Sequence, residues 1–140
     1  MADHASQTNE PGQLAENLRR QLAGTIIRRL RGANGQLALI RLTPAAAQRL
    51  AGRAAETAER LAAERLIAEL RRAVRPLRDR GRPCAIVVTG DRLAVAERLR
   101  AAGIIVPVLA EQEIIGQPGL EAFAVVGDGP GSGLPQSRAA

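Results

Sequence analysis

Cys84 and His4, the chain's one thiol and one imidazole, are its residues best suited to nucleophilic or metal chemistry, and they lie in different segments. His4 belongs to a polar leader, MADHASQTNEPG, whereas Cys84 opens an apolar run. A cysteine nucleophile needs a base beside it, and no histidine of the folded stretch can serve. Cys84 therefore reads as a small buried hydrophobe, and no tetrahedral metal set can be assembled. A third candidate is the turn Thr89-Gly90-Asp91, which follows the apolar run and precedes a helix-forming stretch. At that position α/β proteins often present helix amides to ligands. The turn lacks the glycine spacing of GxGxxG or GxxxxGK[ST], so it reads first as a capped turn with Asp91 near the helix N-terminus. An enzyme built on it would show a nucleotide-induced rise in melting temperature. No catalytic, cofactor-binding or metal-ligating residue is assigned, no cofactor is expected, and the chain reads as no enzyme.

Charge is more abundant. All 20 basic residues are arginine, a bias that GC-rich coding produces without selection for a ligand, and the formal net charge is +6. Sixteen arginines face six carboxylates between Gln13 and Arg82, while four face six from Pro83 onward. A basic front and a mildly acidic back suit an anionic partner, or head-to-tail association between copies. Arg19, Arg20, Arg28, Arg29 and Arg31 could touch phosphates. Against that, Phe123 is the only aromatic residue, so no platform exists on which bases could stack. A stand-alone arginine-rich nucleic-acid or anionic-ligand binder remains the alternative reading, distinguished by steeply salt-dependent binding to duplex DNA.

The elements that position these residues follow from periodicity. At 140 residues, 46% hydrophobic and 24% charged, the chain has the size and composition of one ordinary globular domain. A single cysteine allows no internal disulfide and fits a reducing cytosol. The longest apolar run, Gly103 to Ala110, is too short to cross a bilayer, and the leader lacks the features of a secretory signal. Leu14, Leu18, Leu22, Ile26, Ile27 and Leu30 define an amphipathic helix stopping at Gly32. Leu37 to Leu42 is a strand, and Thr43-Pro44 an N-cap with proline at the first helical position. From Pro44 to Arg80 the composition predicts helix, Gly52 being the candidate point of division, with Leu61, Leu66, Ile67, Leu70, Val74 and Leu77 in the core and Pro76 kinking or ending it. Ala85 to Val88, a helix from Arg92 to Ala102 capped by Gly103, and Ile104 to Leu109 form a β-α-β unit with parallel strands. Pro107 belongs at that last strand's beginning or edge. Glu121 to Val126 is one more strand. The class is α/β, with α+β possible: a disordered leader (1–12), a mainly helical basic subdomain (13–82), a small α/β subdomain (83–127) and a disordered tail (128–140).

In this order of elements the chain resembles the C-terminal cytoplasmic region of the FHIPEP export-gate proteins, the FlhA and SctV group, from roughly Asn9 to Gly127. NEPGQLAENLRRQLAGTIIRRL is similar to the family's opening helix and GQLALIRLTP to its strand and turn. RPCAIVVTGDRLAVAERLRAAGIIVPVLAEQEI and LEAFAVVG resemble its closing segments. The matching positions are Leu42, Pro44, Pro83, Leu93, Leu99, Pro107, Val108, Leu109, Glu113 and Ile114. Their collinear order, more than any one motif, carries the resemblance. Departures include Ala110-Glu111-Gln112 where the family has Ser-Tyr-Asn, and Thr43 in place of aspartate. Ala51 to Ala63 reads as continuous helix where the family inserts a glycine turn and short strand. The family's transmembrane half and earlier cytoplasmic subdomains have no counterpart here.

The resemblance implies a non-catalytic interaction module of a flagellar or type III protein export gate. Such regions form a homo-oligomeric cytoplasmic ring that receives export substrates, chaperones and the export ATPase complex. The implied partners are other copies of the chain, export-apparatus proteins and substrate-chaperone complexes. No nucleic acid and no direct membrane insertion are implied, and the place is the cytoplasmic face of the bacterial inner membrane, reached through partners. Charge suggests a ring contact in which Arg19, Arg20 and Arg28 of one copy meet an acidic surface near Glu111, Glu113 and Glu121 of the next.

Overall fold

The computed structural model describes residues 11–32, 35–52 and 56–127. The leader up to residue 10 and the tail from residue 128, both expected to be disordered, lie outside the described residues. Helix α1 spans Pro11–Arg31, so it begins two residues ahead of the expected basic subdomain. Strand β1, Leu37–Leu42, leads into α2, Pro44–Ala51, which starts where the Thr43-Pro44 pair predicts. The Thr43 hydroxyl accepts from the Ala46 amide at 3.2 Å, and Pro44, with no amide hydrogen to leave unpaired, opens the helix. Helix α3 covers Thr57–Asp79, β2 Cys84–Val88 and α4 Arg92–Ala101. They are followed by β3, Val108–Ala110, the single-turn α5, Glu111–Ile114, and β4, Leu120–Val126.

All four strands are parallel, in the order β3-β2-β1-β4. The class is α/β, and the expected parallel pairing of β2 with β3 is present. The sheet takes β1 from the stretch 13–82 and the other three strands from 83–127, so the basic and acidic stretches share one sheet with β1 inside it. Parallel strands are tolerated when both faces are covered, and alternation along the strands shows how that is done. Ala38, Ile40, Leu42, Ile86, Val88, Val108 and Val126 point to one face, where they meet α2, α3 and α4 through Leu50, Leu70, Leu77, Val95 and Leu99. Leu37, Leu39, Ala85, Val87 and Leu109 point to the other, where they meet Ile27 of α1 and Ile114 of α5. The chain winds from β1 to β2 to β3 over the first face. It must then reverse direction to reach β4, and a right-handed crossover in the reverse direction runs over the opposite face. That places α5 beside α1.

Several expectations are corrected by this packing. Of the described residues of α1 only Ala23, Gly24 and Ile27 are buried, because the sheet and α5 receive only the C-terminal half of the helix; Leu14, Leu18, Leu22 and Ile26 are exposed. On α3 the inward phase runs through Ala63, Leu66, Ile67, Leu70, Val74 and Leu77, which turns Leu61 out to solvent. Proline at position 76 neither ends nor breaks that helix, which continues to Asp79. It sits in the last turn, with Val74 and Leu77 on either side held in the core. Helix does not run unbroken from Ala51 to Ala63: Gly52 is extended, as its role as a divider requires, and its amide bonds back to the Gln48 carbonyl. Strand β3 is three residues long, not six. Ahead of it Ile105 is exposed, and Pro107, lacking a donor of its own, supplies its carbonyl to the Ile86 amide at 2.8 Å. Gly103 follows α4 at φ +85°, a left-handed conformation that glycine adopts without strain.

Candidate functional site

The carboxyl edge of the sheet, where α/β proteins place their ligand sites, is occupied by the protein's own charges. Asp91 Oδ1 accepts from the Ala94 amide at 3.1 Å and caps α4. The Thr89-Gly90-Asp91 turn is therefore a capped turn whose carboxylate already holds the helix N-terminus. At the end of β1, Arg41 Nη2 pairs with Glu111 Oε2 at 3.1 Å. Beside it, Glu113 is 3% exposed, and its two oxygens are divided between two partners. Oε1 accepts from the Ala110 amide at 2.8 Å, and Oε2 faces Arg92 Nε at 3.2 Å. A carboxylate can be buried only when paired and hydrogen-bonded, and the arrangement locks the first turn of α5 to the first turn of α4.

The three glutamates expected on one acidic surface are thus not brought together. Glu111 and Glu113 lie at the carboxyl edge. Glu121 lies at the amino edge, where it pairs with Arg82 and joins the strands flanking β1. Each has an arginine partner in its own chain, and Glu113 is removed from the surface altogether. Sequence reading missed these pairs. The one local signal is Glu113 standing three residues after the strand end Ala110, the spacing of a carboxylate that reaches back to a helix-start amide.

The three arginines proposed for contact lie on α1 and are exposed. Arg28 Nη2 reaches the Thr25 hydroxyl at 3.4 Å, and the Arg20 carbonyl accepts from Gln117 Nε2 at 3.3 Å. Gly24 permits that close approach: a β-carbon there would lie 3.1 Å from Gln117 Oε1. Arg19 borders a cleft of about 540 Å³ between α1 and α4, whose apolar walls include Leu22, Ile26, Leu93 and Ile105, with Arg92 and Arg100 on the α4 side. Of the matching family positions, Leu42, Leu99, Val108, Leu109, Glu113 and Ile114 are buried. Pro83 and Pro107 accept strand hydrogen bonds from Ala38 and Ile86, and Pro44 opens α2. Leu93 is the exception, exposed on the cleft wall.

Cys84 is half-buried at the start of β2. Burial pushes its thiol above the usual range, with Arg78 acting in the opposite direction, so the reactive thiolate is disfavoured. Among the described residues no group of histidine, cysteine and carboxylate side chains could hold a metal ion.

The model of the FHIPEP family matches residues 1–118. The chain belongs to the FHIPEP family. Its sequence resemblance to these type III export-gate proteins is thereby confirmed, and the fold agrees. The solved structure of the Shigella flexneri MxiA protein superposes with a TM-score of 0.52 at 17% identity, covering 84% of this chain. The same superposition covers 39% of the MxiA chain, so this family member spans well under half of that relative. No curated protein matches. Among the described residues no helix is long and apolar enough to cross a membrane.

Proposed function

We propose that this chain is a non-catalytic interaction module of a flagellar or type III protein export gate, acting at the cytoplasmic face of the inner membrane. There it joins a ring of like subunits that receives export substrates, chaperones and the export ATPase complex. The observation that carries this reading is the surface of α1. A member of the export-gate family presents a long helix whose leucines Leu14, Leu18 and Leu22 are exposed beside the arginines Arg19 and Arg20. Contiguous exposed apolar residues rimmed by charge mark a protein-binding surface. Between copies, Arg19, Arg20 and Arg28 would meet acid on the neighbour. Glu111 and Glu121 could contribute only by sharing or exchanging Arg41 and Arg82, and Glu113 would take no part.

Light scattering of the full chain at low and high salt tests the ring contact. An oligomer that grows with concentration and dissociates as salt screens the charges is expected. A monomer at every concentration and ionic strength would remove the ring from the proposal.

A further inference from the structure

The cleft between α1 and α4 carries exposed apolar side chains on both walls. Leu22 and Ile26 on its α1 wall are 63% and 40% exposed, and across the cleft Leu93 and Ile105 are 68% and 71% exposed; Leu14 and Leu18, 60% and 53% exposed, extend the α1 stripe beyond the cleft. The α1 leucines recur every fourth residue, so they form one stripe. Residues 12–22 of the helix are otherwise exposed or half-buried. A stretch this short holds its helical form in isolation only marginally, so an occupant of the cleft would also stabilise α1. The chain's own ends are poor candidates. MADHASQTNE carries one large apolar residue, its initial methionine, and DGPGSGLPQSRAA one leucine. A second copy of α1 is disfavoured by charge, since the helix carries Arg19, Arg20, Arg28, Arg29 and Arg31 against Glu16. The rim selects the opposite sign: Arg19, Arg92 and Arg100 border the cleft, and its one carboxylate, Glu113, is buried and neutralised by Arg92.

We infer that the α1–α4 cleft is a docking groove for an acidic amphipathic helix of a partner protein. The partner's apolar stripe would lie against Leu22, Ile26, Leu93 and Ile105 and continue onto Leu18 beside the cleft, and its carboxylates would meet Arg19 and Arg100. This is the helix-in-groove mode of recognition, with apolar anchors supplying affinity and the arginine rim supplying orientation and rate. The inference names a partner chemistry for the surface on which the interaction-module reading rests.

The test uses the full chain and three synthetic helical peptides: one with a leucine stripe flanked by glutamates, one with the same stripe flanked by lysines, and a scrambled acidic control. Fluorescence anisotropy should show saturable binding of the acidic amphipathic peptide alone. Leu22→Asp and Leu93→Asp, both at exposed positions, should each weaken it at least about tenfold, the effect of removing one buried apolar anchor. Arg19→Glu should weaken it further as salt falls. Absence of binding, equal binding of the lysine peptide, or binding unchanged by Leu22→Asp overturns the inference. Concentration-dependent dimerisation that Leu22→Asp abolishes would also overturn it, by assigning the groove to a second copy. If the groove variants leave salt-sensitive oligomerisation intact while no peptide binds, the docking inference falls and the interaction-module reading stands.

Discussion

Arg92→Ala is expected to destabilise the chain by about 3 kcal/mol, the cost of leaving a buried carboxylate without its counter-charge. The effect is asymmetric because the partners are unequally exposed: the Glu113 side chain is 4% exposed, whereas that of Arg92 is 33% exposed. Removing the arginine strands Glu113 with the Ala110 amide alone. Removing the charge from the glutamate leaves Arg92 within reach of water, and a glutamine oxygen can still accept from Ala110. Glu113→Gln should therefore cost only about 1 kcal/mol, the scale of one net hydrogen bond. The double variant Arg92→Ala/Glu113→Gln should recover most of the loss. Urea unfolding of the four proteins measures the coupling. An Arg92→Ala protein within about 0.5 kcal/mol of the parent would show that the pair does not join α4 to α5.

Ile40→Ala should cost about 3 kcal/mol, within the range for deleting a fully buried isoleucine that leaves a cavity. Ile40 is 0% exposed on β1, which lies between β2 and β4, and its side chain belongs to the cluster shared by α2, α3 and α4. Because β1 bridges the basic and acidic stretches within one sheet, the loss should appear as a single shifted transition and not as the melting of one half. Leu22→Ala and Leu93→Ala, made at exposed leucines, should change stability by less than about 0.5 kcal/mol. The contrast separates apolar residues that hold the fold from apolar residues left over for partners. Two resolved transitions in the Ile40→Ala protein would contradict the shared sheet.

Much of the fold is legible in the sequence because local chemistry and tertiary packing agree there. Apolar runs such as Ala85-Ile86-Val87-Val88 are short, β-branched and bounded by turn residues, which fits a strand covered on both faces. Thr43-Pro44 and Gly103 mark helix ends by mechanisms that act within a few residues. Where the reading fails, the deciding partner is distant. The leucines of α1 have the spacing of a core-facing helix, and periodicity alone cannot tell a face packed on its own sheet from one kept for another molecule. The helical phase of α3 likewise admits Leu61 or Ala63, and only the position of the sheet selects Ala63. Proline at position 76 is tolerated because the neighbouring Val74 and Leu77 are anchored.

The site was less legible than the fold. Counting charges identifies a basic front and an acidic back, but the pairing of those charges depends on strand order. Arg41 with Glu111 and Arg82 with Glu121 are brought together only once β1 is inserted between β2 and β4, and Arg92 with Glu113 once β2 pairs with β3. An acidic patch inferred from sequence proximity therefore dissolves into three intramolecular pairs. Arg19, Arg20, Arg28 and Arg29 of α1 are exposed, and the apolar stripe beside them becomes the more informative feature.

The central claim is that α1 is the surface by which this FHIPEP-family chain contacts the export apparatus. A photo-cross-linking residue placed at position 18 of the full chain, in cells assembling the secretion system, tests it most directly. The account predicts a cross-link to an identified export-apparatus protein or to another copy of the chain, and its loss when Leu22→Asp is added. A cross-link to nucleic acid, or cross-linking to the apparatus from a control position on the exposed side of α3 but none from position 18, would contradict it.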